Sequence, residues 1–227
     1  MAQLQGQDRA QYVQDMFGRI AANYDLMNRL MTFGQDGKWR KFVVKKAQIS
    51  PGGCLLDIAT GTGDIAFTTL DTVPGVITVG ADFARPMMRV GQTRLLGEQV
   101  LWCQSDALRL SFPTNTFDAV VSGYLLRNVH DLQQCLAEQL RVVRPGGMVV
   151  ALDTTPPPHN LFRPFILFYL RYIIPLMGRL VAGSSDAYTY LPESTQAFKT
   201  ADDLATIMSD LGYEGVLYQK FMFGTMA

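Results

Sequence analysis

The stretch Cys54-Leu55-Leu56-Asp57-Ile58-Ala59-Thr60-Gly61-Thr62-Gly63-Asp64 decides the fold. A short apolar run enters a turn holding two glycines, and residues 65–70 continue in a helical rhythm. A strand that passes through such a turn into a helix opens a βαβ unit. The pattern recurs downstream. Residues 76–81 form a second β-branched run ending at Asp82, and residues 86–96 read as a helix. Residues 100–103 and 119–123 are third and fourth runs. Residues 132–143 make an amphipathic helix stopped by Pro145-Gly146-Gly147, and residues 148–152 are a fifth strand candidate. Continuous apolar runs alternating with helices imply an α/β fold with a mostly parallel sheet covered on both faces. Right-handed crossovers make it doubly wound and Rossmann-like, with ligands at the carboxyl ends of the strands.

Outward from this core, residues 11–48 read as helices, with Tyr12, Val13, Met16, Phe17 and Ile20 spaced three and four apart. Pro156-Pro157-Pro158 stops the fifth strand. An apolar helical stretch follows, then a Tyr-, Ser- and Pro-rich loop over 183–194, a helix over 200–211 and a last candidate strand over 216–222. The expected organisation is one domain over 1–227. Residues 1–50 are a helical lid, 51–155 the binding core, 156–200 an apolar insertion that also covers substrate, and 201–227 the last helix and strand. The 20 Lys+Arg balance 20 Asp+Glu, so no global basic field favours nucleic acid. Cys54, Cys103 and Cys135 form no CxxC, and there are two histidines, so neither a disulfide framework nor a metal site is expected. The polar start, MAQLQGQDRAQ, lacks an apolar signal core, which points to the cytoplasm. Arg171, Pro175 and Arg179 interrupt the greasy stretch 165–183, which argues against a spanning helix but allows one lying on a membrane.

Gly61-x-Gly63-x-x-Ala66, with Asp82 available for a ribose, fits a dinucleotide fingerprint, so a nicotinamide-dependent oxidoreductase is one reading. Asp57 favours S-adenosylmethionine instead. A carboxylate four residues before the first glycine would repel a pyrophosphate, whereas an ammonium and a sulfonium welcome it. Asp64 adds to that bias, or complements the helix N-terminus. Asp82 is placed to accept from both ribose hydroxyls, or to cap the next helix. Phe83 stacks on adenine or belongs to the core. Asp106 accepts from the adenine amino group while the Ala107 N–H serves a ring nitrogen, or Asp106 is a turn residue.

The series Asp57-x-x-x-Gly61-Thr62-Gly63-Asp64, Asp82, Ser105-Asp106-Ala107-x-x-x-x-Phe112, Phe117-Asp118-x-Val120 and Arg144-Pro145-Gly146-Gly147 resembles the class I methyltransferases. Tyr24-Asp25-x-Met27-Asn28-x-x-Met31-x-x-Gly34 with Trp39, Leu126-Arg127-Asn128-Val129 and Tyr188-x-Tyr190-Leu191-Pro192-Glu193-Ser194 resemble the ubiquinone/menaquinone C-methyltransferases. That resemblance implies methylation of a ring carbon of a prenylated hydroquinone. It implies a cofactor held by Thr62, Asp82, Asp106 and Ala107, with Gly123 beside the methionine end and Tyr24 in a lid. Asp64, Arg127 and Asn128 match residues near the reacting ring. Thr60 and Leu125 stand at family glycine positions, and Asp153-Thr154-Thr155 replaces Glu-Phe-Ser. The resemblance also implies a final antiparallel hairpin of which the chain carries half. A truncated chain, or a homodimer that completes the edge, would account for that.

A ring carbon is a weak nucleophile until a phenolic proton, with a pKa around 10, is removed. The expectation is that Asp64 takes the proton, Arg127 stabilises the phenolate and Asn128 orients the ring. Competing readings are a loop-shaping salt bridge for Arg127, a helix cap for Asn128 and His130 as the base. Tyr188 and Tyr190 line the ring pocket or pack in the core. The apolar insertion is a core helix, or a tunnel for an isoprenoid tail with an interfacial foot carrying Arg163, Arg171 and Arg179. Two further readings keep the cofactor. One is a methyltransferase acting on a polyketide or terpenoid; the other is a catalytically silent subunit of a lipid-biosynthetic assembly.

Overall fold

In the computed structural model, described for residues 6–183 and 185–227, the apolar runs pair side by side. Part of the polar start and Ser184 of the expected loop lie outside the described residues. The central strand β1 (Cys54–Ile58) pairs with β2 (Ile77–Asp82) on one side, and β3 (Val100–Gln104) lies beyond it. On the other side follow β4 (Phe117–Gly123) and β5 (Val143–Leu152). All pairings are parallel, in the order β3-β2-β1-β4-β5. The order reverses at β1, so the carboxyl ends of β1 and β4 flank a topological switch point.

The helices are α1 (Gly6–Ile20), α2 (Tyr24–Met31), α3 (Asp36–Ala47), α4 (Asp64–Thr72), α5 (Arg85–Gln92) and α6 (Leu132–Val142). After β5 come α7 (Arg163–Phe168), α8 (Ile174–Ala182), α9 (Ser185–Ala197) and α10 (Ala201–Asp210). Strand residues alternate between two apolar layers, as the two-residue side-chain period requires. Leu56, Ile58 and Val120 face the layer that holds Leu136 and Val142 of α6, with Leu204 and Ile207 of α10 against it. Leu55, Ala119 and Val121 face Trp39, Val43 and Val44 of α3 and Ile65 of α4. A third cluster joins Met16 and Ile20 of α1, Met27 and Met31 of α2, Ile174 of α8, and Ala187, Tyr188 and Tyr190 of α9. The N-terminal helices and the apolar insertion therefore build one helical cap with a shared core.

Three local expectations are corrected. Pro145-Gly146-Gly147 does not separate helix from strand: β5 begins at Val143, and Arg144 to Gly147 bulge out between the pairs Phe117↔Val143 and Ala119↔Met148. Residues 185–194 are not loop but helix, with Pro192 inside α9, because burial of Tyr188 and Tyr190 in the cap outweighs local propensity. Residues 216–222 form no strand. Instead, the backbones of Asp153 and Ala227 exchange hydrogen bonds of 2.9 and 3.0 Å, and Thr154 and Met226 make an antiparallel bridge.

The insertion is one continuous run. A π-helical turn (Tyr169–Ile173) joins α7 to α8. It lies just before Pro175, whose missing N–H leaves the Arg171 carbonyl without its usual helical donor. Helices α8 and α9 touch at Gly178, where a Cβ would lie 2.2 Å from Tyr188 Cδ2. Gly178→Ala is expected to lower stability even though alanine gains ~1 kcal/mol in helix propensity, because such overpacking costs about 1–3 kcal/mol. Thermal denaturation checks this: an unchanged or raised Tm would show that the two helices separate freely.

Candidate active site

The glycine turn is fixed by the two carboxylates that end β1 and β2. One Asp57 oxygen accepts from the Thr60 hydroxyl at 2.8 Å and from the Ala66 N–H at 3.2 Å. Asp82 accepts from the Gly61 N–H at 2.7 Å and from the Ala84 N–H at 2.6 Å. Gly61 and Gly63 take φ of 58° and 89°, and a Cβ on Gly63 would meet Trp102 at 2.7 Å. Burial raises the Asp57 carboxyl to about 7 and the Asp82 carboxyl to about 6, with hydrogen bonds opposing the shift in both.

A cavity of about 130 Å³ lies over the strand tips. The sheet side supplies Gly61, Asp82, Phe83, Asp106, Ala107 and Gly123; α1 and α2 close it with Phe17 and Tyr24. Phe83 is too exposed for the core reading. Asp82 does not cap α5, whose N-cap is Ala84. Asp106 holds its own turn, accepting from the Leu108 N–H at 2.9 Å. The exposed His130 sits at the edge of the same cavity.

A second cavity, about 340 Å³, lies between the sheet and the cap. Arg127, Asn128, Tyr188 and Tyr190 line it, within a wall that is otherwise mostly apolar. Among the described lining residues, Arg127 is the one charged group. Its Nη1 pairs with Asp153 at 2.5 Å, its guanidinium lies over the Tyr124 ring at 5.1 Å, and its side chain is 3% exposed. The salt-bridge reading of Arg127 and its place in the cavity thus both hold. Asn128 does not cap α6; Asp131 does, accepting from the Gln134 N–H. Asn128 instead donates to the Tyr124 carbonyl at 2.7 Å and accepts from the Tyr190 hydroxyl at 3.2 Å. Phe17, Tyr24, Tyr124 and Asn128 line both cavities, so the two cavities adjoin at these side chains.

Four expected site residues are not brought to either lining. Asp57 turns inward behind the glycine turn, so the charge that was expected to face a ligand is buried instead. Gly63 is packed against Trp102 and Phe67. Thr62 donates to Asp25 of α2 at 2.6 Å. Asp64 is held by Arg40 of α3 at 2.7 Å and by Arg94 at 2.6 Å. Both carboxylate oxygens are thus engaged by arginines of the chain itself, away from either cavity. These residues clamp the N-terminal helices onto the turn. Sequence reasoning missed Phe17 and Tyr124 as cavity walls; the φ of 61° at Tyr124 has no sequence signature. Asn28 was legible as part of the Tyr24–Met31 motif but carried no role.

The model of the ubiE/COQ5 methyltransferase family matches residues 5–227. The chain belongs to that family. It is 49% identical to the ubiquinone/menaquinone biosynthesis C-methyltransferase UbiE of Desulfotalea psychrophila, covering 94% of this chain and 87% of the relative. It is 40% identical to the demethylmenaquinone methyltransferase of Thermus thermophilus, covering 93% and 97%. Among solved structures, an S-adenosylmethionine-dependent methyltransferase of Aquifex aeolicus matches with a TM-score of 0.55 at 17% identity, over 76% of this chain and 78% of that one. That likeness shows the fold. In this ubiE/COQ5 family chain, the methyltransferase sheet is the five parallel strands described above.

Two outcomes follow for stability. Asp153→Asn leaves the buried Arg127 guanidinium without its anion, which is expected to cost about 3–5 kcal/mol; chemical denaturation would measure it. The Asp57 effect has a definite sign. Its folded pKa is raised from 3.8 to about 7, so its contribution is fully present below pH 3.8 and is lost as pH rises through 7. The stability of the parent relative to Asp57→Asn should therefore fall between pH 4 and pH 8, as followed by urea midpoints. A difference independent of pH would contradict the burial.

Proposed function

We propose that this chain transfers a methyl group from S-adenosylmethionine to a ring carbon of a prenylated hydroquinone, a menaquinol or ubiquinol precursor. The observation that carries this reading is the adjacency of two unlike cavities, one acidic at the strand tips and one apolar with a single cation among its described lining residues, which share Phe17, Tyr24, Tyr124 and Asn128.

The strand-tip residues fit the cofactor. Asp82 and Asp106 offer carboxylate oxygens, Phe83 an exposed ring, and Gly61 and Ala107 close backbone. When bound there, the cofactor supplies an electrophilic methyl on a positively charged sulfur. The chain's residues do the rest. The apolar wall excludes water around the ring, and Asn128, which lines both cavities, and Tyr190, which donates to it, border the place where the ring carbon must face. Arg127 stabilises the phenolate, acting more strongly in this dry setting than in water. Among the described residues lining the larger cavity there is no Asp, Glu or His. We therefore read anion stabilisation by Arg127, not proton abstraction by Asp64, as the protein's main contribution, with the phenolic proton released to water before the apolar wall encloses the ring. The remaining site residues, Tyr188 among them, orient the ring.

The helix from Arg163 to Ala182 is 20 residues long, apolar in composition and mostly unburied. Ile174 and Gly178 face the cap, whereas Phe165, Phe168, Tyr172, Leu176 and Leu180 are exposed. Phe33, Phe162, Phe165 and Phe223 are exposed and line the larger cavity as well, so its mouth opens on this aromatic surface. We read the surface as an interfacial foot at the inner, cytoplasmic face of a membrane, through which an apolar tail would extend. We read the chain as a homodimer that covers the outer edge of β5. Light scattering on the purified chain would give its oligomeric state.

Incubation with S-adenosylmethionine and short-chain demethylmenaquinol should add one methyl to the ring, read by mass spectrometry; no added methyl on any quinol would defeat the proposal. Arg127→Lys keeps the charge but loses the planar fork, and should lower kcat about 10²–10³-fold while calorimetric cofactor binding persists. Flotation with anionic vesicles should carry the protein, and Phe165→Asp/Phe168→Asp should abolish it.

A further inference from the structure

Two contacts fix the Arg127 guanidinium, and they constrain it differently. Its Nη1 pairs with Asp153 Oδ1 at 2.5 Å, a contact through one nitrogen. Its Nε is buried with no partner among the described residues, so Nη2 is the nitrogen left to face the larger cavity. A two-point pair fixes the plane of a guanidinium, whereas a one-point pair leaves the planar fork free to swing about that contact. The second contact removes the swing. The Arg127 Cζ lies 5.1 Å from the centre of the Tyr124 ring, within the range over which a ring face holds a cation.

Tyr124 is itself held in place at a backbone cost. It is the first residue after β4, and its φ of 61° is one that bulky residues rarely adopt. Its N–H donates to the Leu152 carbonyl at 2.7 Å and its carbonyl accepts from Asn128 Nδ2 at 2.7 Å, so both ends of the residue are pinned. With this backbone the half-buried ring leaves the alternation of the strand and lines both cavities. Strained residues of this kind cluster where a site depends on them. We propose that Tyr124 is the positioning residue for Arg127: its ring sets the plane of the guanidinium so that Nη2 donates to the phenolate oxygen of the substrate. The identity of that oxygen rests on the reading above, whereas the hold on the guanidinium belongs to the chain without ligand.

Two readouts separate this role from a merely structural one. The Arg127 Nε–H resonance, assigned by its absence in Arg127→Lys, reports through nitrogen relaxation how tightly the guanidinium is held without any ligand. The ionisation of bound 1-naphthol, followed by absorbance against pH, reports how strongly the cation acts on an aryl oxide. In the parent the guanidinium should be ordered, and bound naphthol should ionise at a lower pH than free naphthol. Tyr124→Leu should lower the order parameter below about 0.6. It should also return the naphthol ionisation toward its free value by about one pH unit, because a desolvated cation–π contact is equivalent to a factor of about ten or more. Tyr124→Phe keeps the ring and should restore both readouts. If Tyr124→Leu does not fold, Tyr124→Gly removes the ring while suiting the positive φ, and the same two losses are expected. An ordered guanidinium in the ringless variants, a naphthol shift that survives removal of the ring, or equal losses in Tyr124→Phe and Tyr124→Leu would each overturn the positioning role. A parent that leaves naphthol unbound or unshifted would overturn the quinol reading and the aryl oxide contact with it, while order lost in Tyr124→Leu would still support the hold on Arg127.

Discussion

The ion pair between Arg127 and Asp153 holds the site together. Both groups are almost wholly out of water, so the cost of burying them has to be offset by close pairing and further hydrogen bonds. Asp153 accepts from the Arg127 guanidinium and from the Arg127 and Thr154 backbone N–H groups. Its own backbone pairs with Ala227, and the Arg127 carbonyl accepts from Arg9 of α1 at 2.8 Å. One buried contact thus ties the ends of β4 and β5 to α1 and to the last residues. It also aims a cation into the larger cavity. Where the family resemblance implies glutamate, Asp153 is one methylene shorter, and the pair still closes.

A second set of charges does mechanical work on the other side of the turn. Arg40 reaches both Asp36 and Asp64, and Arg94 reaches Asp64 and Asp25. Thr62 joins the set through Asp25. Acidic residues around a glycine turn invite a ligand-binding reading, but a carboxylate has no preference between a bound cation and an arginine from its own chain. The arginines are far away in sequence, which is why the diversion of Asp64 was not legible.

The strands were legible because both faces of the sheet are covered, so Leu55, Leu56, Val120 and Val121 form unbroken apolar runs. The strand-tip residues Asp82, Phe83, Asp106 and Ala107 were legible for a related reason: in a doubly wound sheet, position just after a strand already implies position at the site. Direction was not legible. Asp57 and Asp82 look equivalent in the sequence, yet one side chain turns behind the turn and the other faces the cavity. The helicity of α9 depends on the cap core that accepts Tyr188 and Tyr190, and the bulge at Arg144 to Gly147 depends on register with β4. Neither is a property of its own segment.

The same apolar environment sets the stability of the cap and the chemistry proposed for it. Removing water from around Arg127 raises the cost of leaving it unpaired, and that cost fixes Asp153 in place. It also raises the attraction Arg127 exerts on a negative oxygen, because the field is less screened.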